Sequence, residues 1–284
     1  MNAKGKLFTI LGMFIFLILL SGFGAFKAKK VTDNTVQNVS DIKSLGGVRN
    51  RMPENSSFVF WKSLTGAKLS SYKAYGSIEE TLCALRSGEI SAMWATDVTA
   101  EYLKSINDDL MIIPTEGMSA LQNTTGDRFE FAMALREEDE ELRDEINLCL
   151  SELKSNGELN LLLDSFVFNA TPETVKYEDS MNTEGKRRIV IGVTGTVPPI
   201  EIVDQNGNVG GFIVSLMERI GEKLGAEIEF EVLDNETIFT SLMSGRIDAV
   251  FAYGTGMNTT ENKKNYIMTD GYCPMHEYEY LTVK

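Results

Sequence analysis

The C-terminal part of the chain switches repeatedly between two hydrophobic periods. Residues 188–193 form a short apolar run bounded by turn chemistry and predict a buried strand. Asn206 and Gly207 lie in a polar turn that suggests a hairpin. From 212 to 224 the apolar positions Val214, Met217, Ile220 and Leu224 recur at helical spacing, and Gly225 suits the cap that ends such a helix. Residues 227–232 alternate charged and apolar, as a half-buried strand does; a further helix from about Asn235 stops at Gly245, and 247–252 read as a strand. The N-terminal part carries a similar unit. Ser77 and Glu80 have capping-box spacing, the helix they open ends at Gly88, and 90–95 read as a strand.

The two units agree residue by residue. Leu85, Ser87, Gly88, Ile90, Ala92 and Ala95 correspond to Leu242, Ser244, Gly245, Ile247, Ala249 and Ala252, and Trp94 corresponds to Phe251. A helix, a glycine cap and a buried strand are used twice, which predicts an α/β fold of two lobes. Ahead of them, Lys4 and Lys6 precede a nearly uncharged apolar run, 7–26, followed by Lys27, Lys29 and Lys30. That is the pattern of a secretion signal, and the run is also long enough to span a bilayer. The expected organisation is a signal peptide or membrane anchor over 1–30, a tether over 31–40, a first lobe-like segment with closing helices over 41–170, a polar linker over 171–187, and a second lobe-like segment over 188–284.

Lys and Arg number 27 against 41 Asp and Glu, a formal charge of -14, which argues against a nucleic-acid partner. His276 is the single histidine, which disfavours His-ligated metal sites and histidine-based nucleophilic catalysis. Cys83, Cys149 and Cys273 form no paired motif; Cys83 and Cys149 sit among leucines and read as buried apolar residues. The acidic run 137–141 lies where the macrodipole of a following helix favours it, and reads as a solvated first turn rather than paired catalytic carboxylates.

These residues resemble a known family. Residues 189–193, Pro198, Pro199, Glu201, Asn206, Gly207, Gly211, Phe212, Leu242, Ser244, Gly245, 247–249, Thr259, Glu261, Lys263, Lys264 and Tyr272 are similar to the first lobe of the bacterial extracellular solute-binding proteins of family 3, the amino-acid-type periplasmic binding proteins. Residues 41–47, 85–95, Tyr102, Leu103 and 129–136 resemble that family's second lobe and its returning strand, and 150–157 its terminal helix. The resemblance implies a two-lobed periplasmic-binding-protein type 2 fold whose lobe order is circularly permuted, with hinge strands 129–135 and 277–283 side by side; a remnant of a tandem protein is the competing explanation.

The resemblance also implies capture of a small polar solute of amino-acid-like class in an interlobe cleft, outside the cytoplasm, for an ABC-type importer permease, with no catalysis and no cofactor. The alternative is a membrane-anchored extracytoplasmic sensor or scaffold with a degenerate pocket. The family's carboxylate-binding arginine falls on Asn262, its aromatic wall on Val197 and its ammonium-binding acid on Thr96, with Asp97 adjacent. Asn cannot supply the charge or the bidentate fork of Arg. Neutral hydrogen-bonding residues at these places suit a neutral polar ligand, a peptide-like one, or none. The candidate ligand-binding residues are Thr194, Thr196, Glu201, Tyr253, Thr255 and Asn262 from one lobe, and Ser56, Ser57, Thr96 and Asp97 from the other. Ser56 and Ser57 lie near a helix start, where free amides receive anions. Trp61 and Trp94 read as core.

Overall fold

Two parallel-type sheets, each flanked by helices, carry the structure. The computed structural model describes residues 36–49, 53–114, 129–181, 185, 187–254, 266–276 and 278–284, and residues 35–284 form one compact unit. The apolar run 7–26 and the tether to residue 35 lie outside the described residues. Among the described residues no helix is long and apolar enough to cross a membrane.

The first sheet is built from β1 (Ser44–Val48), β2 (Ser71–Tyr75), β3 (Ala92–Thr96), β4 (Leu110–Ile113) and β13 (Tyr278–Val283), in the order β2-β1-β3-β13-β4. β1 runs parallel to β2 and β3, while β13 runs antiparallel to both β3 and β4. The second sheet contains β5 (Phe129–Arg136), β6 (Arg187–Val193), β9 (Ala226–Val232), β10 (Ala249–Gly254) and β11 (Tyr266–Met268), in the order β11-β5-β10-β6-β9, with β12 (Cys273–Met275) also paired to β5. β7 (Ile202–Val203) and β8 (Val209–Gly210) make the expected hairpin around Asn206 and Gly207.

The two sheets follow one plan. In each, a first strand lies between the next two, and an antiparallel strand from the other segment of the chain is inserted beyond the third. That inserted strand is β13 in the first sheet and β5 in the second. The two hinge strands share no ladder: β5 has its neighbours in β10, β11 and β12, and β13 in β3 and β4.

Local sequence accounts for the helices. α6 (Phe212–Leu224) buries Phe212, Ile213, Val214, Leu216, Met217 and Ile220 completely, each contributing roughly 1.5–3 kcal/mol relative to exposure. Gly225 ends it in the left-handed region, at φ 58°, where a side chain would be strained. α2 (Ile78–Arg86) starts on Ser77, whose Oγ accepts the Glu80 amide at 3.2 Å. The reciprocal half of the expected capping box differs. Glu80 Oε2 accepts the amide of Gly76, at 2.8 Å, one residue further out. α4 (Glu140–Ser155) and α5 (Glu158–Leu163) pack with α6 over one face of the second sheet, and α7 (Ile238–Met243) over the other. The acidic turn before α4 is anchored by Arg136, which pairs with Asp139 at 2.6 Å. α1 (Glu54–Thr65), α2 and α3 (Asp97–Ile106) flank the first sheet. Trp61 is buried and Trp94 half-buried, their rings 4.7 Å apart. Cys149 and Cys273 are buried, but Cys83 is exposed, because the buried face of α2 is made by Ile78, Thr81, Leu82, Ala84 and Leu85 and residue 83 faces away from it.

Candidate functional site

The order of strands locates the site before any side chain is considered. From β6 the chain passes through α6 to β9 on one side, then through α7 to β10 on the other. From β1 it passes through α1 to β2 on one side, then through α2 to β3 on the other. Each sheet thus has a topological switch point, and ligands of such sheets bind outside the carboxyl ends of the strands there. The carboxyl edges of the two sheets face each other. Arg49, which follows β1, pairs with Glu236, beyond β9, at 3.0 Å. Asp97 Oδ2, just after β3, accepts the backbone N–H of His276 at 3.0 Å and lies 2.9 Å from its Nδ1. Both members of the Arg49–Glu236 pair are mostly exposed, so its contribution to stability is small. Its value here is geometric, since it marks where the two edges meet.

The loop after β6 is built around a buried carboxyl. Glu201 is 1% exposed. Its Oε1 accepts the Thr194 amide at 3.1 Å and a short hydrogen bond from the Thr194 hydroxyl. Thr194 Oγ1 lies 2.7 Å from Thr196 Oγ1 and accepts the Thr196 amide at 3.3 Å. Burial pushes the Glu201 carboxyl above its ordinary range, against hydrogen bonds from Thr194 and the amides of Thr196 and Gly195. Its other oxygen, Oε2, is buried without a well-formed hydrogen bond. Gly195, at φ 68°, supplies the left-handed residue that lets the loop fold over the carboxyl.

Tyr272 and Ala252 shape the neighbouring strand end. The Ala252 amide donates to Tyr272 Oη at 2.9 Å, and the Tyr272 ring stacks on Phe251 with centroids 4.9 Å apart. Burial raises the Tyr272 phenol well above its ordinary range. Ala252 has φ 49°, an unfavourable region for a residue with a Cβ, within a register shift between Val250 and Tyr253. Beyond this irregularity Tyr253 turns into a buried aromatic cluster, its hydroxyl 3.1 Å from that of Tyr266 and its ring 5.3 Å from Phe239.

The predicted residues are therefore distributed as follows. Thr194, Thr196 and Glu201 form one hydrogen-bonded cluster. Thr96 caps α3, accepting the Thr99 amide at 3.4 Å, and Asp97 opens that helix and holds His276. Ser56 is exposed and Ser57 buried within the first turns of α1. That helix opens on Glu54, whose carboxylate accepts the Ala74 amide at 2.8 Å. Tyr253 belongs to the aromatic cluster. Thr255 and Asn262 lie outside the described residues. Sequence reasoning missed Arg49, Glu236 and the pairing role of His276. A charged residue directly after a predicted strand was the available signal for Arg49.

Two α/β sheets with opposed switch points are the architecture of a two-lobed, type 2 periplasmic binding protein. Residues 189–283, about a third of the chain, match the family described as bacterial extracellular solute-binding proteins, family 3. The chain is 33% identical over 85 residues to the probable ABC transporter arginine-binding protein ArtJ of Chlamydia trachomatis, covering 30% of this chain and 32% of that protein. It is 32% identical over 95 residues to the arginine-binding extracellular protein ArtP of Bacillus subtilis, covering 33% of this chain and 36% of that protein. The matches thus span about a third of the length of these curated relatives. Among solved structures, the GluR0 ligand-binding core from Nostoc punctiforme in complex with L-glutamate aligns over 85% of this chain and 84% of that one, at 12% identity and a TM-score of 0.44.

Proposed function

We propose that this protein captures a small polar solute between its two sheets and delivers it, outside the cytoplasm, to a membrane importer of the ABC type. The observation that carries the reading is the meeting of two switch-point edges, joined by the Arg49–Glu236 pair. A solute touching both edges stabilises the closed arrangement, and a permease can read that closure. The names of the curated relatives, which are binding proteins for arginine or other amino acids, support this role. Such a role requires no catalysis and no cofactor. The apolar run 7–26 would either direct export or hold the protein at the membrane surface.

The test is thermal unfolding of the full chain against a panel of amino acids, short peptides, sugars and polyamines. A solute that binds only the native state raises the midpoint in proportion to ln(1 + [L]/Kd). A rise confined to one solute class supports capture. A flat response across the panel for folded protein sinks the reading.

A further inference from the structure

The chain crosses from the second sheet back to the first through a short connection. β12 ends at Met275 in the second sheet, β13 begins at Tyr278 in the first, and His276 is the described residue between them. A change in the angle between two lobes is absorbed by the torsions of a few residues at such crossings. Here the crossing is held. Asp97, the first residue of α3, accepts the His276 backbone N–H on Oδ2 at 3.0 Å, and the same oxygen lies 2.9 Å from the ring Nδ1. A carboxylate only accepts, so a neutral ring in this contact carries its proton on Nδ1. The other oxygen, Oδ1, is buried without a well-formed hydrogen bond, which leaves Oδ2 to meet the charge. α3 flanks the first sheet, yet its next residue, Val98, is buried in the core cluster of the second. The grip on His276 thus sits where the lobes are joined.

Three further titratable groups surround the contact. Cys273 on β12 is buried, and burial, then the charges of Asp97 and Glu130, push its thiol well above its ordinary range. Glu130 acts on that thiol from β5, and Glu101, one turn along α3, is exposed and paired with Lys104 at 2.9 Å. Of these groups only His276 can bring Asp97 a positive charge. Imidazole is the side chain that ordinarily changes charge between pH 5 and 8, and His276 is the single one in the chain. The His276 side chain is 66% exposed and that of Asp97 17%, so protons reach the ring from solvent while the carboxylate is sheltered.

We propose that the His276–Asp97 contact is a proton-dependent clasp on the hinge, and that protonating His276 favours the arrangement in which the two carboxyl edges meet. A neutral imidazole gives Asp97 a hydrogen bond, and an imidazolium gives it an ion pair through the same atom. The clasped crossing occurs together with the Arg49–Glu236 contact, so tightening the clasp adds weight to that arrangement. The inference extends the solute-capture reading and rests on it for one consequence: even an uncharged solute is held more tightly at pH 5 than at pH 8.

The experiment measures the distance between spin labels at Val59→Cys on α1 and Val232→Cys at the end of β9, by double electron–electron resonance on the full chain without solute. Both positions are exposed, and each lies on an element that reaches the carboxyl edge of its sheet, so parting the edges lengthens the distance. Cys83→Ser removes the exposed native thiol, while Cys149 and Cys273 are buried. In this background His276 is compared with His276→Gln, which never charges, and His276→Lys, which stays charged. The short-distance population with His276 is expected to grow about two- to fivefold relative to the long one between pH 8 and pH 5, the scale of a solvent-screened ion pair. His276→Gln is expected to keep the pH 8 distribution throughout, and His276→Lys the pH 5 one. Unchanged unfolding midpoints at pH 8 show that both variants fold, and His276→Arg replaces His276→Lys should the latter misfold. A distribution indifferent to pH, a pH response that persists in His276→Gln, or a His276→Lys distribution matching that of His276→Gln overturns the clasp. No solute enters the measurement, so each of these outcomes leaves the capture reading to its own panel.

Discussion

The two sheets solve one junction in two ways. In the first sheet, Gly88 at φ 74° ends α2, and the amides of Gly88, Glu89 and Ile90 return to the carbonyls of Leu85 and Ala84. In the second, Gly245 at φ 75° ends α7, and Gly245, Arg246 and Ile247 return to Leu242 and Ser241 in the same pattern. The next residue separates them. Ser91 Oγ accepts the amides of Lys43 and Ser44 at 3.1 Å each, and the inserted strand β13 contributes only the Thr282 hydroxyl, on the Ser91 carbonyl at 2.9 Å. Asp248 accepts the Val190 amide at 2.9 Å, and the inserted strand β5 contributes Arg136, which donates to the carbonyls of Leu242 and Ile247 and to Asp248. Backbone geometry is held in common, while the chemistry that locks the inserted strand is neutral in one lobe and ionic in the other. Charge-assisted hydrogen bonds are roughly twice as strong as neutral ones, so the second sheet holds its borrowed strand more firmly than the first.

The sharpest way to break this asymmetry is Arg136→Ala. The Arg136 side chain is only 12% exposed, and its loss removes a partner from Asp248 and Asp139 and a donor from the Ile247 carbonyl, at an expected cost of about 3–5 kcal/mol in urea unfolding. A loss no greater than that of Thr282→Val would show the ionic lock to be idle. Gly88→Ala and Gly245→Ala should each cost about 1–2 kcal/mol, because both positions are left-handed and a Cβ at either meets nothing within 4 Å. Equal values confirm the shared junction, and a gap larger than about 1 kcal/mol refutes it. Thr282→Val should cost about 1 kcal/mol, the worth of one neutral hydrogen bond.

The smallest effect is a slope. Glu201 has its folded carboxyl raised above the ordinary 4.5, so the native state binds its proton more tightly than the unfolded chain does. The sign of linkage is then destabilising: its contribution is most favourable below pH 4.5 and declines as pH rises from there through the raised folded value. Glu201→Gln removes this slope, so the midpoint of the variant relative to wild type should improve as pH rises above 4.5. A difference that is flat with pH would mean that the loop holds an ionised carboxylate without penalty.

Features governed by neighbours along the chain were legible in the sequence. α6 runs over 212–224 with Gly225 as its cap, as its apolar spacing indicates, and the paired helix–glycine–strand units coincide in their hydrogen bonds. Thr194, Thr196 and Glu201 were legible as polar residues at a strand end, because all three fall within a sequence separation of seven. Arg49–Glu236 and Asp97–His276 were not. Their partners stand 187 and 179 residues apart, and nothing in either neighbourhood encodes a match that only tertiary folding creates. Tyr253 shows a subtler failure. The resemblance offers it as a ligand residue, whereas past the register shift at Ala252 its side chain packs with Phe239 and Tyr266. Cys83 failed for a related reason: leucines on both sides of it in sequence lie on a helix face that residue 83 does not share.

The insertion of β13 between β3 and β4 also sets a schedule. Chains emerge and fold from the amino end, yet β3 and β4 are joined only through a strand that follows the other described strands in sequence. Until it arrives, both carry an unpaired edge, the kind of surface that recruits strands from other molecules. Strands β1 to β4 of the first sheet thus precede by more than 160 residues the strand that completes it, and a nascent chain would need shielding of those two edges until residues 278–283 are in place.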